Sequence, residues 1–413
     1  VAFDEALDGS LFSHEAPMWR MRLFVCEEES ALLYAANHAV SDQLSLQRVL
    51  GELIGAISAE RSSELLPPPV SLPVPPSVEE ALIGPYSVAA EPIDARLRSL
   101  LRRVRLATLS YAGFQLSAGG APVLPNWVPP PSKIGEEMHL RERRTASIFA
   151  MVSSKSTASL RQRCRANGVT ISGAVNAAAL LAASDALGAV EKDEDGALKR
   201  LRYKLLQAIN MRPYGGSDGG ISGDGSRDWS AGSVLAGTGS LDLLVDLTPG
   251  SGRDLLDRVA QAPQASNALS TLWSTAKECN EQTRRWIDNG WPRESLVLFG
   301  AGWEFMNMNR VVELSAQDCS TLGRAYSCGT SNVGVYAHQS TGADLSLRRI
   351  FFGISQSVSA PAISLSCVTV DGGLCLTVQY CTPIWSNEQA CAFTETLKNI
   401  LMLAAAGDGL SDS

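Results

Sequence analysis

Apolar and polar residues alternate with two distinct periods along this 413-residue chain, and the switches between them mark its elements. Residues 19–26 (WRMRLFVC) alternate and are rich in strand formers. The short apolar run 31–36 (ALLYAA) reads as a buried strand ending at Asn37-His38. From residue 41 to 59 the period becomes helical, with Leu44, Leu46, Val49, Leu50, Leu53, Ile54 and Ile57 recurring at helical spacing. Residues 37–42 are therefore a loop between a strand and a helix. A proline-dense stretch follows (Pro67, Pro68, Pro69, Pro73, Pro75, Pro76), where missing donors and fixed φ predict an extended connector. Residues 96–105 (RLRSLLRRVR) read as a basic helix whose arginine stems lie over apolar surface, with a contact to an anionic partner as the alternative. Residues 122–131 form a second proline-rich loop.

The second half opens with a strand at 145–153 (TASIFAMVS). A helix at 157–165 stops at Asn167-Gly168, because glycine suits a left-handed C-terminal position. Thr170 or Ser172 caps the next helix, whose small apolar residues predict burial on most sides. Residues 202–211 read as a strand ending at Arg212-Pro213, and 214–232 as a Gly/Ser/Asp-rich loop without a phosphate-cradling context. Strand character returns at 234–247 and helical spacing at 252–287. Beyond Tyr326 strands alternate with turns, and 363–370 and 374–380 flank Asp371-Gly372-Gly373 as a hairpin. Residues 388–405 are a closing amphipathic helix, and no internal repeat is visible.

Composition narrows the picture. Hydrophobic residues make up 45% of the chain and charged residues 19%, which is ample for a sizeable core. A net charge of −8 and a pI of about 5.2 lack the electrostatic footprint of a nucleic-acid binder. The longest apolar run, 174–183, is interrupted by Asn176, so it reads as a core helix, and no transmembrane segment is expected. Nine cysteines are scattered without a C-x-x-C pair, and only four histidines are present. These thiols are expected to be reduced and mostly buried, with no zinc site, which points to a cytoplasmic protein.

The candidate chemistry lies in His38-Ala39-Val40-Ser41-Asp42, an H-x-x-x-D element at the end of an apolar strand. An imidazole with its usual pKa near 6.5 can take a proton from an alcohol or ammonium near neutral pH. Asp42 falls on the following turn, where pairing with a remote cation would orient the loop. His14, His139 and His338 lie in polar or loop-like settings without a clear acidic partner.

With these residues the chain resembles the condensation-domain and chloramphenicol-acetyltransferase-like superfamily, most of all its alcohol acetyltransferase and mycobacterial dimycocerosyl transferase branch. Pro17-Met18-Trp19-Arg20 resembles the entry to the strand before the active loop, and residues 37–42 resemble the H-H-x-x-x-D-G motif. Pro75-Pro76-Ser77-Val78-Glu79-Glu80 resembles the connector after the first helix. Cys164-Arg165-Ala166-Asn167-Gly168-Val169-Thr170 resembles the stretch before a buried helix. Asn210-Met211-Arg212-Pro213 resembles the strand-end N-x-R-P segment, Thr330-Ser331-Asn332-Val333-Gly334 the S-N-x-G element, and Tyr380, Pro383 and Trp385 the closing strand and turn.

The resemblance implies an α/β fold of two similar sandwiches forming a V with an interfacial tunnel, residues 1–144 carrying the H-x-x-x-D loop and 145–413 forming the second unit. It implies an acyltransferase that uses acyl-CoA, or a thioester on an acyl carrier protein, as donor and a small alcohol or amine as acceptor. No cofactor is expected beyond acyl-CoA as co-substrate, no covalent acyl-enzyme forms, and the chain is expected to act as a monomer. His38 would be the general base and Asp42 a structural residue paired with Arg212. Ser331 and Asn332, on a turn facing His38 across the tunnel, would stand by as oxyanion donors. Three departures from the family pattern stand out: Asn37 replaces the first histidine, Gln43 replaces the glycine after the aspartate, and Val1 falls after the family's opening strand and helix, so the first unit is expected to be truncated. A non-catalytic binding module and a peptide-synthetase condensation domain remain alternative readings.

Overall fold

The computed structural model describes residues 1–8, 17–59, 144–186, 196, 200–214, 236–261, 267–292, 295–296, 324–336, 346–357 and 360–406. These hold a small and a large sheet. In the small one, β1 (Trp19–Phe24) and β2 (Ala31–Ala36) pair antiparallel from Trp19↔Ala36 to Phe24↔Ala31. The large one contains β3 (Arg144–Val152), β4 (Leu201–Asn210), β5 (Thr238–Leu247), β6 (Cys328–Val335), β7 (Ile363–Val370) and β8 (Gly373–Thr382) in the order β3-β8-β7-β6-β4-β5. Strand β6 runs parallel to both neighbours, β4 and β7, and every other pairing is antiparallel. The helices are α1 (Ala2–Asp8), α2 (Gln43–Ala59), α3 (Ser154–Ala166), α4 (Ile171–Ala186), α5 (Ser251–Gln261), α6 (Ser270–Asp288) and α7 (Asn387–Ala406).

The core of the large unit forms around α4. Every residue from 173 to 184 is buried, because small side chains let α5, α6 and α7 close around it while the sheet covers its remaining side. At Gly173 a Cβ would fall 2.3 Å from Asn280 Oδ1, and at Gly252 one would fall 2.6 Å from the Leu181 carbonyl, so α6 and α5 approach α4 only through glycine. Strands β7 and β8 are buried almost throughout, since α3, α4 and α7 cover one face. On the other face Val368, Val370 and Cys375 cluster with Ile350 and Phe352, and Val333 of β6 and Leu50 of α2 pack against them. The β7–β8 hairpin turns on Asp371 and Gly372, with φ of 47° and 76°, the left-handed pair that a two-residue turn demands.

Strand β5 lies at an edge, and side chains satisfy its outward backbone groups at every second residue. Trp291 Nε1 donates to the Ser240 carbonyl (3.1 Å) and Trp286 Nε1 to that of Asp242 (2.8 Å). The Gln282 amide brackets Leu244, accepting from its N–H (2.9 Å) and donating to its carbonyl (2.6 Å), and Arg200 donates to the Asp246 carbonyl (2.5 Å). An edge so occupied cannot template further strand pairing. This matters because β4 and β5 carry half of the site.

Three expectations change. Strand β2 is exposed or half-buried rather than buried, because among the described residues it pairs only with β1. The helix expected over 252–287 is two, α5 and α6; Pro263 cannot continue the first, and the residue before a proline avoids the helical region. The opening residues form α1, which sequence reading missed. It packs on β3 through a Phe3–Phe149 edge contact (5.2 Å), and Asp8 Oδ1 accepts from the Thr145 N–H (2.5 Å). The proline stretches, the basic segment 96–105 and the loop 215–232 lie outside the described residues. Among those described, no single helix is long and apolar enough to cross a membrane.

Candidate functional site

The loop between β2 and α2 is built by Asn37. Its N–H donates to the Met18 carbonyl (2.8 Å), carrying the strand pairing one residue past β2. Its side-chain oxygen accepts from the Ala39 N–H (2.9 Å), and its carbonyl accepts from the Val40 N–H (3.1 Å). Together these bonds close a tight Asx turn. His38 rides exposed on this turn, the only histidine among the described residues. Asn37→Ala is expected to loosen the turn and lower turnover several-fold, whereas Asn37→Asp, which keeps the accepting oxygen, stays near parent activity; steady-state kinetics on both variants checks this.

Asp42 caps α2. One carboxylate oxygen accepts from the Ser45 N–H (3.0 Å), the usual capping geometry. The same carboxylate forms a two-pronged pair with Arg212: Nη1 lies 2.8 Å from Oδ2 and Nη2 lies 2.9 Å from Oδ1. The Gly237 N–H (2.9 Å) and the Thr238 hydroxyl (3.1 Å) also donate to it. Both side chains are almost wholly buried, Asp42 at 2% and Arg212 at 5% exposure. Arg212 is itself aimed. It follows β4 on a 3₁₀ turn, and Asn210 Oδ1 accepts from its N–H (3.1 Å) and its Nη1 (3.3 Å), while Nη2 also donates to Ser45 Oγ (2.9 Å). Burial alone would raise the Asp42 carboxyl, but the Arg212 hydrogen bonds and charge and the Ser45 N–H outweigh it and hold it below the ordinary carboxylate range. With its lone pairs occupied, Asp42 ties the loop to Arg212 and to the residues that open β5.

Beneath Arg212, strands β4 and β5 are braced by a charged cluster that sequence reading did not single out. Lys204 Nζ lies 2.8 Å from Asp242 Oδ2, the Tyr326 hydroxyl donates to Asp242 Oδ1 (3.0 Å), and the ammonium sits 4.5 Å over the Tyr326 ring. Among the described residues no group of three or more His, Cys, Asp or Glu could hold a metal. The eight described cysteines are free, and burial pushes the Cys164 thiol up to about 11.

Ser331 and Asn332 lie within β6, not on a turn, and they point to opposite faces. Asn332 and Thr330 face α4: the Asn332 amide donates to Ser172 Oγ (3.1 Å) and the Thr330 hydroxyl to Asn176 Oδ1 (2.7 Å). The Asn332 side-chain oxygen also accepts from the Gly334 N–H (3.0 Å), at the bulge where β6 leaves register with β7. Asn332 is thus bonded into the fold on the α4 side, which corrects its placement on a turn. Ser331, half-buried, shares its face with Val333 and the Leu50 contact.

Neither protein-family models nor curated proteins give a match to this sequence. Solved structures do, at the level of fold. The TRI3 trichothecene 15-O-acetyltransferase from Fusarium sporotrichioides is similar with a TM-score of 0.59 at 12% identity, over 94% of this chain and 71% of that one. Polyketide synthase associated protein 5 from Mycobacterium tuberculosis gives 0.57 at 13% identity, over 96% and 78%. A peptide-synthetase cyclization-docking bidomain from Sorangium cellulosum gives 0.53 at 16% identity, over 95% and 64%. The chain therefore shares the α/β fold of these structures.

Proposed function

We propose that this protein is an acyltransferase carrying an acyl group from acyl-CoA, or from a carrier-bound thioester, to a hydroxyl or amine of a small acceptor in the cytoplasm, as a monomer and without a further cofactor. The observation that carries the reading is the buried Asp42–Arg212 pair. It ties the His38 loop to the β4–β5 end of the large sheet, and so supports a base at the seam between a first unit of 1–144 and a second unit of 145–413, where a V-shaped pair of sandwiches would have its tunnel. His38 takes the proton of the acceptor as its oxygen or nitrogen attacks the thioester carbonyl. The tetrahedral oxyanion collapses, the C–S bond breaks, and the thiolate leaves with the proton from the imidazolium. Ser331, on the seam-facing side of β6, is the proposed oxyanion donor. The alcohol acetyltransferase branch is the proposed kinship, with a hydroxyl as acceptor.

The exposure of His38 favours a second reading, a binding module that keeps the fold without turnover. A base acting on an incoming substrate must be reachable, and ligand-free geometry commonly tightens only in the complex, so exposure does not remove the first reading. A free-thiol assay over a panel of acyl-CoAs and alcohols separates the two. Acceptor-dependent thiol release supports transfer. Donor binding without release from any pair, including a carrier-bound thioester, supports the binding module.

A further inference from the structure

We propose that the side-chain amide of Gln47 is a substrate-binding group that hydrogen-bonds a neutral oxygen, a carbonyl or a hydroxyl, of the molecule that enters beside α2; this rests on the acyltransferase reading. Gln47 is 5% exposed, and its Nε2 is fully buried with no hydrogen-bond partner. A buried amide donor left unpaired is a standing cost that leucine or methionine would avoid, and folded proteins keep few of them. This one lies just over a turn from the Asp42 carboxylate, where five donors are satisfied by one acceptor group. The Asp42 site beside it is thus fully bonded, while the Gln47 amide is not.

Its direction follows from helical spacing. Gln43, Gln47 and Leu50 fall on one stripe of α2, on the side away from Ser45. Leu50 packs against the cluster formed by Val333, Ile350, Phe352 and Val368 on the open face of the large sheet. The two amides therefore line the same seam, on the sheet face that also carries Ser331. The charges of this helix are occupied: Asp42 by Arg212, and Arg48 by Glu52 (2.8 Å) on the outer side. Beside charges that are already paired among the described residues, an amide suits a neutral oxygen rather than a phosphate or carboxylate. Gln43, in place of the glycine of the resembling motif, sets a second amide four residues earlier on the path of the same ligand.

The test uses Gln47→Met, which keeps length and volume but removes the amide, with two probes read by calorimetry. Acetonyl-CoA, a thioether ketone that cannot transfer its acyl group, stands for the donor, and 1-octanol stands for the acceptor. The ligand-free variant should melt at or above the parent temperature, and its Kd for one probe should rise about 3- to 10-fold, the worth of one neutral hydrogen bond, with the other unchanged. The probe affected identifies the source of the oxygen. A lower melting temperature with both affinities unchanged, or unchanged affinities at any melting temperature, would overturn the proposal. So would loss of folding in both Gln47→Met and Gln47→Leu, since an amide without an internal partner cannot be what holds the fold. A parent that binds neither probe would instead count against the acyl-CoA donor and alcohol acceptor of the proposed function.

Discussion

Replacing His38 with alanine is expected to lower turnover by about 10²–10⁴-fold, the usual worth of positioned acid–base catalysis, while KM for donor and acceptor stays near the parent value. The split between the two constants follows from the place of His38. It sits on a turn whose backbone is held by Asn37, not by the imidazole, so alanine leaves the loop intact. It removes only the group that accepts the proton as the acceptor attacks. Melting temperature should not change by more than a surface substitution usually causes. Steady-state kinetics on a donor–acceptor pair that the parent acylates, with a thermal melt beside it, checks all three. Full activity in the variant would remove the base assignment.

Asp42→Ala should act in the opposite way, through stability first. The carboxylate is the common acceptor for Arg212, Ser45, Gly237 and Thr238. Its loss strands a buried guanidinium and two backbone N–H groups at once, and breaking such a pair costs ~3–5 kcal/mol. Chemical denaturation should show a loss of that size, with poor solubility and low activity following from it. Arg212→Ala should cost a similar amount, and the double variant less than the sum of the two, because the second change removes an already stranded partner. The pH dependence has a definite sign. Because the folded-state pKa of Asp42 is lowered, its contribution is fully present above the unfolded-chain value, about pH 4, and is lost as pH falls through the lower folded value. The parent should therefore lose stability in acid over that range, and Asp42→Ala should lose less.

Much of the fold was legible because its signals are local. The small apolar run of α4, the Gly168 stop before it at φ 68°, and the Asp371-Gly372 turn each declare their conformation in a few residues. The order of motifs also brought Asp42 and Arg212 together, although 170 positions separate them. What stayed hidden depends on partners. The Gly237 N–H that completes the Asp42 site is a backbone donor with no sequence signature, 195 residues away. Ser331 and Asn332 are adjacent in sequence, so only the strand parity set by α4 could show that Asn332 faces α4 and Ser331 shares the opposite face with Val333. Strand β2 looks buried by composition, because an apolar hexapeptide does not say how many strands will cover it. Asn37 looked like a loss from a histidine pair, and in the structure it is the residue that builds the turn.

The most direct measurement is mass spectrometry of the acceptor after incubation with acyl donor and either the parent or His38→Ala, with the intact protein mass followed in the same samples. The acceptor should gain the acyl mass with the parent and barely with the variant, while neither protein carries an acyl adduct. Equal acylation by both proteins, or a stable acyl-protein adduct that accounts for the transfer, would contradict direct transfer with His38 as the base.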